Sequence, residues 1–267
     1  MIQNDYYSPE MHGPYQLFDL GDFVLEEGYT LRDCKLAYAT FGELSPTKDN
    51  AILITTWYSG SHQIFADAYI GPEHALNPEK YFIVVINQIG NGLSTSPHNT
   101  DVPHAMARFP HVRIGDDVRA QEQLLREMFG IEELQLVTGG SMGAQQTYEW
   151  AVRFPEKVKR AAPIAGTAKN TPHDFIYVEA LKEAITSDPD SAAAGTKPPQ
   201  TYAPGLPDTR GSSRSWGSRR SSGSKSSGDP SVSPRRTTSR SASWTPTSSR
   251  WIPTICCAWS GSGSEVM

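Results

Sequence analysis

Gly139-Gly140-Ser141-Met142-Gly143 is the stretch whose residue types and spacing suit nucleophilic chemistry. It follows an apolar run at 134–138 and precedes a segment, 143–154, that reads as a helix closed by Pro155. A G-x-S-x-G pattern between strand and helix makes a sharp turn, because small flanking residues permit the strained backbone that lifts a serine oxygen clear of a sheet. The N–H of Met142, at a helix start, then points where negative charge develops as that oxygen attacks a carbonyl. The competing reading is a glycine-rich turn that binds a phosphate or nothing. Its G-x-G-x-x-G form fails at Met142, Gly143 and Ala144.

Such a turn needs a sheet beneath it. Residues 51–55 and 81–86 are continuous apolar runs, as strands covered on both faces require. Residues 23–25 and 36–41 read as an entry hairpin turning at Glu26, Glu27 and Gly28. The stretch 116–129 sets Val118, Gln121, Leu125, Met128 and Phe129 at helical spacing behind two acids suited to a helix N-terminus. Residues 161–165 read as a further short strand. Strands alternating with helices of this length predict a doubly wound, mostly parallel α/β sheet.

Charge divides the chain in two. Residues 1–190 carry 14 Lys+Arg and 26 Asp+Glu, whereas 191–267 carry 10 and 3. The second stretch holds 20 Ser, and its Leu, Ile, Val and Phe amount to Leu206, Val232, Ile252, Ile255 and Val266. That apolar area is too small to offset an ordering entropy of about 1–2 kcal/mol per residue. The reading is therefore an N-terminal part of an α/β domain over 1–190 and a disordered, low-complexity Ser/Arg-rich tail over 191–267. No apolar run of 18 residues and no basic-then-apolar start occurs, so neither a membrane span nor a signal peptide is expected, and a cytoplasmic protein is the default. Cys34, Cys256 and Cys257 are too few for a disulfide framework or a zinc site, so no metal is expected.

Gly139 to Gly143, with Gln146, Glu149, Trp150 and Ala151, resembles the G-G-S-M-G-x-x-Q-x-x-E-W-A stretch of homoserine O-acetyltransferases. Tyr38, Thr40, Phe41 and Gly42 are similar to that family's entry strand. Phe109-Pro110 with Asp116, Val118, Arg119, Ala120 and Gln121 are similar to its second helix. Thr167-Ala168, Glu179, Ala184-Ile185 and Asp188-Pro189-Asp190 resemble its lid entrance, and the resemblance covers about residues 15–190. It implies an α/β-hydrolase fold, cut off after the start of the lid, in which Ser141 attacks an acyl donor and forms an acyl-enzyme. It also implies a base, a His oriented by an Asp, in the chain order Ser, Asp, His. Here the histidines are His12, His62, His74, His98, His104, His111 and His173. None follows the lid entrance. His173 reads as a lid or solvent residue and His62 as packed or solvated, so the triad base is missing.

The resemblance further implies an oxyanion donor in the loop after 51–55, where Thr56-Trp57-Tyr58-Ser59-Gly60 stands in place of H-A-L-T-G. The amide of Tyr58 matches the donor position, and Trp57 is a candidate for an acyl pocket. Gly115 occupies the place of an arginine that the resemblance associates with the substrate cleft. These departures argue against homoserine as acceptor and toward an ester-hydrolysing relative. No cofactor is expected beyond acetyl-CoA or another acyl-CoA as an optional acyl donor. The expected partner is a small acyl ester or acyl-CoA, with a homodimer left open and no membrane.

Three functions from different classes follow in order of support. The first is an acyltransferase or ester hydrolase of this type, inactive in the present chain for want of Asp and His. The second is a non-catalytic relative that binds a ligand or partner in its cleft. The third is nucleic-acid binding by the basic tail. A tail read in a shifted frame from about residue 191 accounts for its composition, because a one-base shift of the codons for 244–258 permits an apolar string with the D-x-N-N-L-L of the family's post-lid region.

Overall fold

The computed structural model describes residues 5–186. Six strands form one mixed sheet in the order β1-β2-β4-β3-β5-β6. These are β1 (Gln16–Val24), β2 (Thr30–Phe41), β3 (Ala51–Thr55), β4 (Phe82–Ile86), β5 (Leu136–Gly140) and β6 (Ala161–Ile164). β4, β3, β5 and β6 run parallel to one another, while β2 pairs antiparallel with both β4 and the edge strand β1. The helices are α1 (Pro9–His12), α2 (His62–Ala68), α3 (Ile114–Leu124), α4 (Met142–Arg153) and α5 (Pro172–Thr186). The tail assigned to 191–267 lies outside the described residues, as does the lid beyond α5.

The expected hairpin forms with longer strands. Its turn closes through Gly28 N–H donating to the Leu25 carbonyl at 2.9 Å, with Gly28 at φ 86°. Every residue of β3 and β4 is buried. Their alternating side chains feed two different cores, as a pleated strand covered on both faces must. Leu53, Val84 and Ile86 join Val118, Leu124, Val137 and Trp150 under α3 and α4. Ile52, Ile54, Ile83 and Val85 join Phe65 of α2 on the other face.

Two local differences from the sequence reading have physical causes. The helix expected over 116–129 is α3 followed by a π-helical turn at Leu125–Phe129, closed by Gly130 in the left-handed region at φ 60°. The wider turn shifts the helical register. Leu125 is therefore buried and Phe129 packs edge-on to Tyr38 and Phe82, while Met128 stands half exposed at 49%. The strand expected to stop at the glycine pair instead continues through it, with Gly139 paired to Pro163 and Gly140 to Ile164.

The two acids at the start of α3 do more than complement the helix dipole. Asp116 is fully buried and accepts from the N–H groups of Arg113 (2.9 Å) and Glu26 (2.8 Å) and from the Arg119 guanidinium (2.6 Å), fixing the β-hairpin turn onto the helix. Asp117 accepts from the N–H of Ile89 at 2.8 Å and so anchors the loop after β4; burial pushes its carboxyl up to about 8.

Candidate functional site

Ser141 occupies the turn between β5 and α4 with φ 54° and ψ −117°. A serine with positive φ is strained and persists only where its surroundings impose it. The imposing group is the end of β3. A Cβ on Gly143 would lie 2.3 Å from the Thr55 carbonyl oxygen, and one on Gly139 would lie 2.2 Å from Thr55 Oγ1. Thr55 Oγ1 donates to the Gly143 carbonyl at 2.7 Å and holds the helix start against the strand. The outer glycines of G-x-S-x-G are thus demanded by close approach. At Gly140, by contrast, a Cβ would meet nothing nearer than Trp57, at an ordinary 3.4 Å.

Ser141 is the N-cap of α4, yet its side chain makes no capping bond. A capping serine normally has extended backbone and gives its oxygen to the second or third helical N–H. Here the positive φ turns the side chain out, and the residue is exposed. The Ser141 N–H donates to the Ile164 carbonyl of β6 at 2.9 Å, pinning the turn from its other side. Met142 is the first residue of α4, so its N–H belongs to the first-turn donors that lack an intrahelical acceptor, at the positive end of the helix dipole.

Ser141, Met142, Tyr58 and Gln145 line one wall of a cleft of about 220 Å³. The opposite wall comes from the segment after β6 and from α5, with Gly166, Thr167, Asn170, Asp174, Tyr177 and Leu181. Gln145 Nε2 donates to Asn170 Oδ1 at 2.6 Å and joins the two walls. A Thr171–Asp174 capping box starts α5, with the Thr171 N–H donating to Asp174 Oδ2 at 2.8 Å and the Asp174 N–H to Thr171 Oγ1 at 3.3 Å.

Ser141, Met142 and Tyr58 therefore come together as the sequence places them. Trp57 does not line the cleft. Its ring packs 4.8 Å from Phe65 within the α2-side core and lies under Gly60, where a Cβ would come within 2.7 Å of it. Gly115 also lies elsewhere, buried at the start of α3, where a Cβ would strike the Glu26 carboxylate at 2.3 Å and the Arg153 guanidinium at 2.6 Å. That glycine makes room for the ion pair between Arg153 and Glu26 at 2.7 Å, and its departure from the arginine pattern bears on packing, not on an acceptor. The sequence reading missed Gln145, Asn170, Asp174 and Tyr177. Amides and a helix cap carry no motif, and α5 falls on the cleft only through the crossover from β6.

Among the described residues, no histidine is hydrogen-bonded to Ser141. His62 is 1% exposed; its N–H donates to Asn87 Oδ1 and its Nδ1 accepts from Asn87 Nδ2, both at 3.1 Å. Burial holds its imidazole below the ordinary range. His12 shares a hydrogen bond with Ser61 Oγ at 3.1 Å. His98 stacks on Tyr7 with ring centres 4.6 Å apart, and burial lowers it to about 4. His173 is exposed on α5. No group of three or more His, Cys, Asp or Glu among the described residues could hold a metal ion. No described helix is long and apolar enough to cross a membrane.

Residues 52–248 match the family model of the alpha/beta hydrolase fold. A probable esterase of Corynebacterium glutamicum is 62% identical over 190 residues, 71% of this chain and 54% of that protein. An ethyl acetate hydrolase of Pseudomonas veronii is 56% identical over 203 residues, 76% of this chain and 58% of that protein. The crystal structure of an acetylester hydrolase from Corynebacterium glutamicum superposes with a TM-score of 0.71 at 60% identity, covering 74% of this chain and 56% of that one. A homoserine O-acetyltransferase of Methanococcoides burtonii is more distant, at 38% identity over 64% of this chain and 38% of that protein. The chain spans about half the length of the esterases it matches.

Proposed function

The chain belongs to the α/β-hydrolase fold family, and we propose that it is an ester-hydrolysing member whose nucleophile is Ser141. One observation carries the reading: a strained N-cap serine, held by β3 on one side and β6 on the other, with its hydroxyl uncommitted at the mouth of a cleft. In the proposed reaction Ser141 Oγ adds to the ester carbonyl carbon. The Ser141 hydroxyl proton passes to solvent, and the amides of Met142 and Tyr58 donate to the oxygen that becomes negative. The alkoxide leaves and takes up a proton as the alcohol, and water then releases the acyl group as the acid and restores the Ser141 hydroxyl. Homoserine O-acetylation is the second candidate, and the lower identity to transferases weighs against it.

The cleft favours short neutral esters over acyl-CoA. Asp174 is the one charged side chain among the described residues that line it, so no described cation there meets a coenzyme's phosphates. Its volume also suits a small acyl group. No histidine among the described residues stands at Ser141 to serve as its general base. We therefore expect the 267-residue chain to turn over esters slowly or only bind them, and we attribute the composition of 191–267 to a shifted reading frame. Resequencing near the codons for Asp190 tests the frame: a single-base insertion or deletion is expected, and an unchanged frame refutes it. Assay of the frame-corrected protein with a simple acetate ester, beside acetyl-CoA and homoserine, tests the reaction. Ester hydrolysis is expected to dominate, and efficient homoserine acetylation would reverse the assignment.

A further inference from the structure

Beneath the turn lies a chain of buried amides that the proposed reaction does not use. The Trp150 indole Nε1 donates to Gln121 Oε1 at 2.8 Å, and Gln121 Nε2 donates to Gln146 Oε1 at 2.5 Å. Gln146 Nε2 in turn donates both to the Thr56 carbonyl at 3.2 Å and to Gln88 Oε1 at 2.8 Å. Gln88 Nε2 ends the chain on Met142 Sδ at 3.4 Å, and the Gln88 N–H returns to Thr56 Oγ1 at 3.2 Å. Gln121 and Gln146 have no exposed surface, Trp150 has 1% and Gln88 3%.

The direction of this chain follows from chemistry. An indole N–H can only donate, so Gln121 must turn its oxygen to Trp150 and its NH2 to Gln146. Gln146 must then present its oxygen to Gln121, which leaves its NH2 for Thr56 and Gln88. One apolar-looking tryptophan thus decides which way round three amides sit. The Thr56 carbonyl and the Trp57 N–H share one rigid peptide plane. Gln146 accordingly fixes the plane that opens the turn Trp57–Gly60, in which the Gly60 N–H donates to the Trp57 carbonyl at 3.1 Å and which carries Tyr58. Through Gln88 the same side chain reaches Met142. We propose that Gln146 is a positioning residue, whose buried amide ties the peptide leading into the Tyr58 turn and, through Gln88, the Met142 side chain to α4, and so holds the Tyr58 turn against the start of that helix beside Ser141. The inference rests on the reading of the Tyr58 and Met142 amides as donors to the developing oxyanion. A hydrocarbon of equal size would fill the space but leave the Thr56 carbonyl, Gln88 Oε1 and Gln121 Nε2 without a partner in a dry site, where such groups re-aim instead of staying put.

The test uses the full 267-residue chain with 15N-labelled tyrosine and methionine. Gln146→Glu keeps the acceptor for Gln121 and removes the two-way donor as an ionised group; Gln146→Met removes both. Trp150→Phe keeps an aromatic ring but deletes the donor that orients the chain, at the cost of some buried volume. Leu31→Ala, a fully buried site on β2, supplies destabilisation without touching the amides. Both Gln146 variants are expected to displace the Tyr58 and Met142 amide resonances, Trp150→Phe to displace them less, and Leu31→Ala to leave them in place. A second arm follows phosphonylation of Ser141 by a fluorophosphonate, expected to slow about tenfold in folded Gln146→Glu, less than the loss of a whole oxyanion donor. Unmoved Tyr58 and Met142 resonances in folded Gln146→Glu and Trp150→Phe would overturn the proposal. Absence of labelling in the frame-corrected protein would overturn the nucleophile reading instead, and the resonances would still decide the role of Gln146.

Discussion

Strands β3 and β6 flank β5 on its two sides, and solvent meets them very differently. All five residues of β3 are buried, whereas β6 has Ala161 exposed, Ala162 and Pro163 half-buried and Ile164 58% exposed. Ser141 sits on the seam. The closest contacts that forbid a side chain at Gly139 and Gly143 come from the β3 side, through Thr55. The cleft opens on the β6 and α5 side. A close-packed half thus supplies the precision of the turn, and a thinly covered half supplies access to it.

The largest effect that sharpens this contrast lies at the paired glycines. Gly143→Ala would push a methyl into the Thr55 carbonyl, so the variant is expected to lose several kcal/mol or to fail to fold, while Gly140→Ala is tolerated within about 1 kcal/mol. Urea unfolding of both variants measures it, and equal costs would break the claim that β3 imposes the turn. Core truncation comes next. Leu53→Ala on β3 is expected to cost about 2–5 kcal/mol and Ile164→Ala on β6 under about 1 kcal/mol. A large cost at Ile164 would mean that β6 is covered.

A smaller effect depends on pH. The Asp117 carboxyl titrates near 8 in the fold, above its ordinary 3.8, so the native state holds its proton where the unfolded chain has lost it. That contribution to stability is full below about pH 4 and declines as pH rises to about 8. Asp117→Asn should abolish the decline while keeping an acceptor for the Ile89 N–H. His98 acts with the opposite sign. Its imidazole falls from 6.5 to about 4 on folding, so its contribution is full above pH 6.5 and declines as pH falls toward 4. Denaturant midpoints from pH 4 to 8 for the parent, Asp117→Asn and His98→Phe check both slopes. At the α5 cap, Thr171→Ala is expected to cost about 1 kcal/mol in the same denaturant midpoints.

Much of this was legible in the sequence where one physical constraint dominates. Runs such as 51–55 have the continuous apolar character that a strand covered on both faces needs, and G-x-S-x-G between a strand and a helix announces a strained turn. Trp57 was misread because an aromatic beside an oxyanion loop looks the same whether it faces a cleft or the core; Phe65, supplied by α2, decided the matter. Asp116 and Asp117 looked like dipole complements, and only the tertiary fold shows Glu26 and Ile89 arriving at their oxygens. Gln146 stood in the family pattern without a role, since partners 25 to 90 residues away leave no local signal.

The central claim is that Ser141 is the nucleophile, and intact-protein mass spectrometry after incubation with a fluorophosphonate tests it most directly. The parent chain is expected to gain one phosphonyl group on the peptide containing Ser141, and Ser141→Ala with an unchanged unfolding midpoint to gain none. Equal labelling of Ser141→Ala, or a single adduct at another serine, would contradict the account.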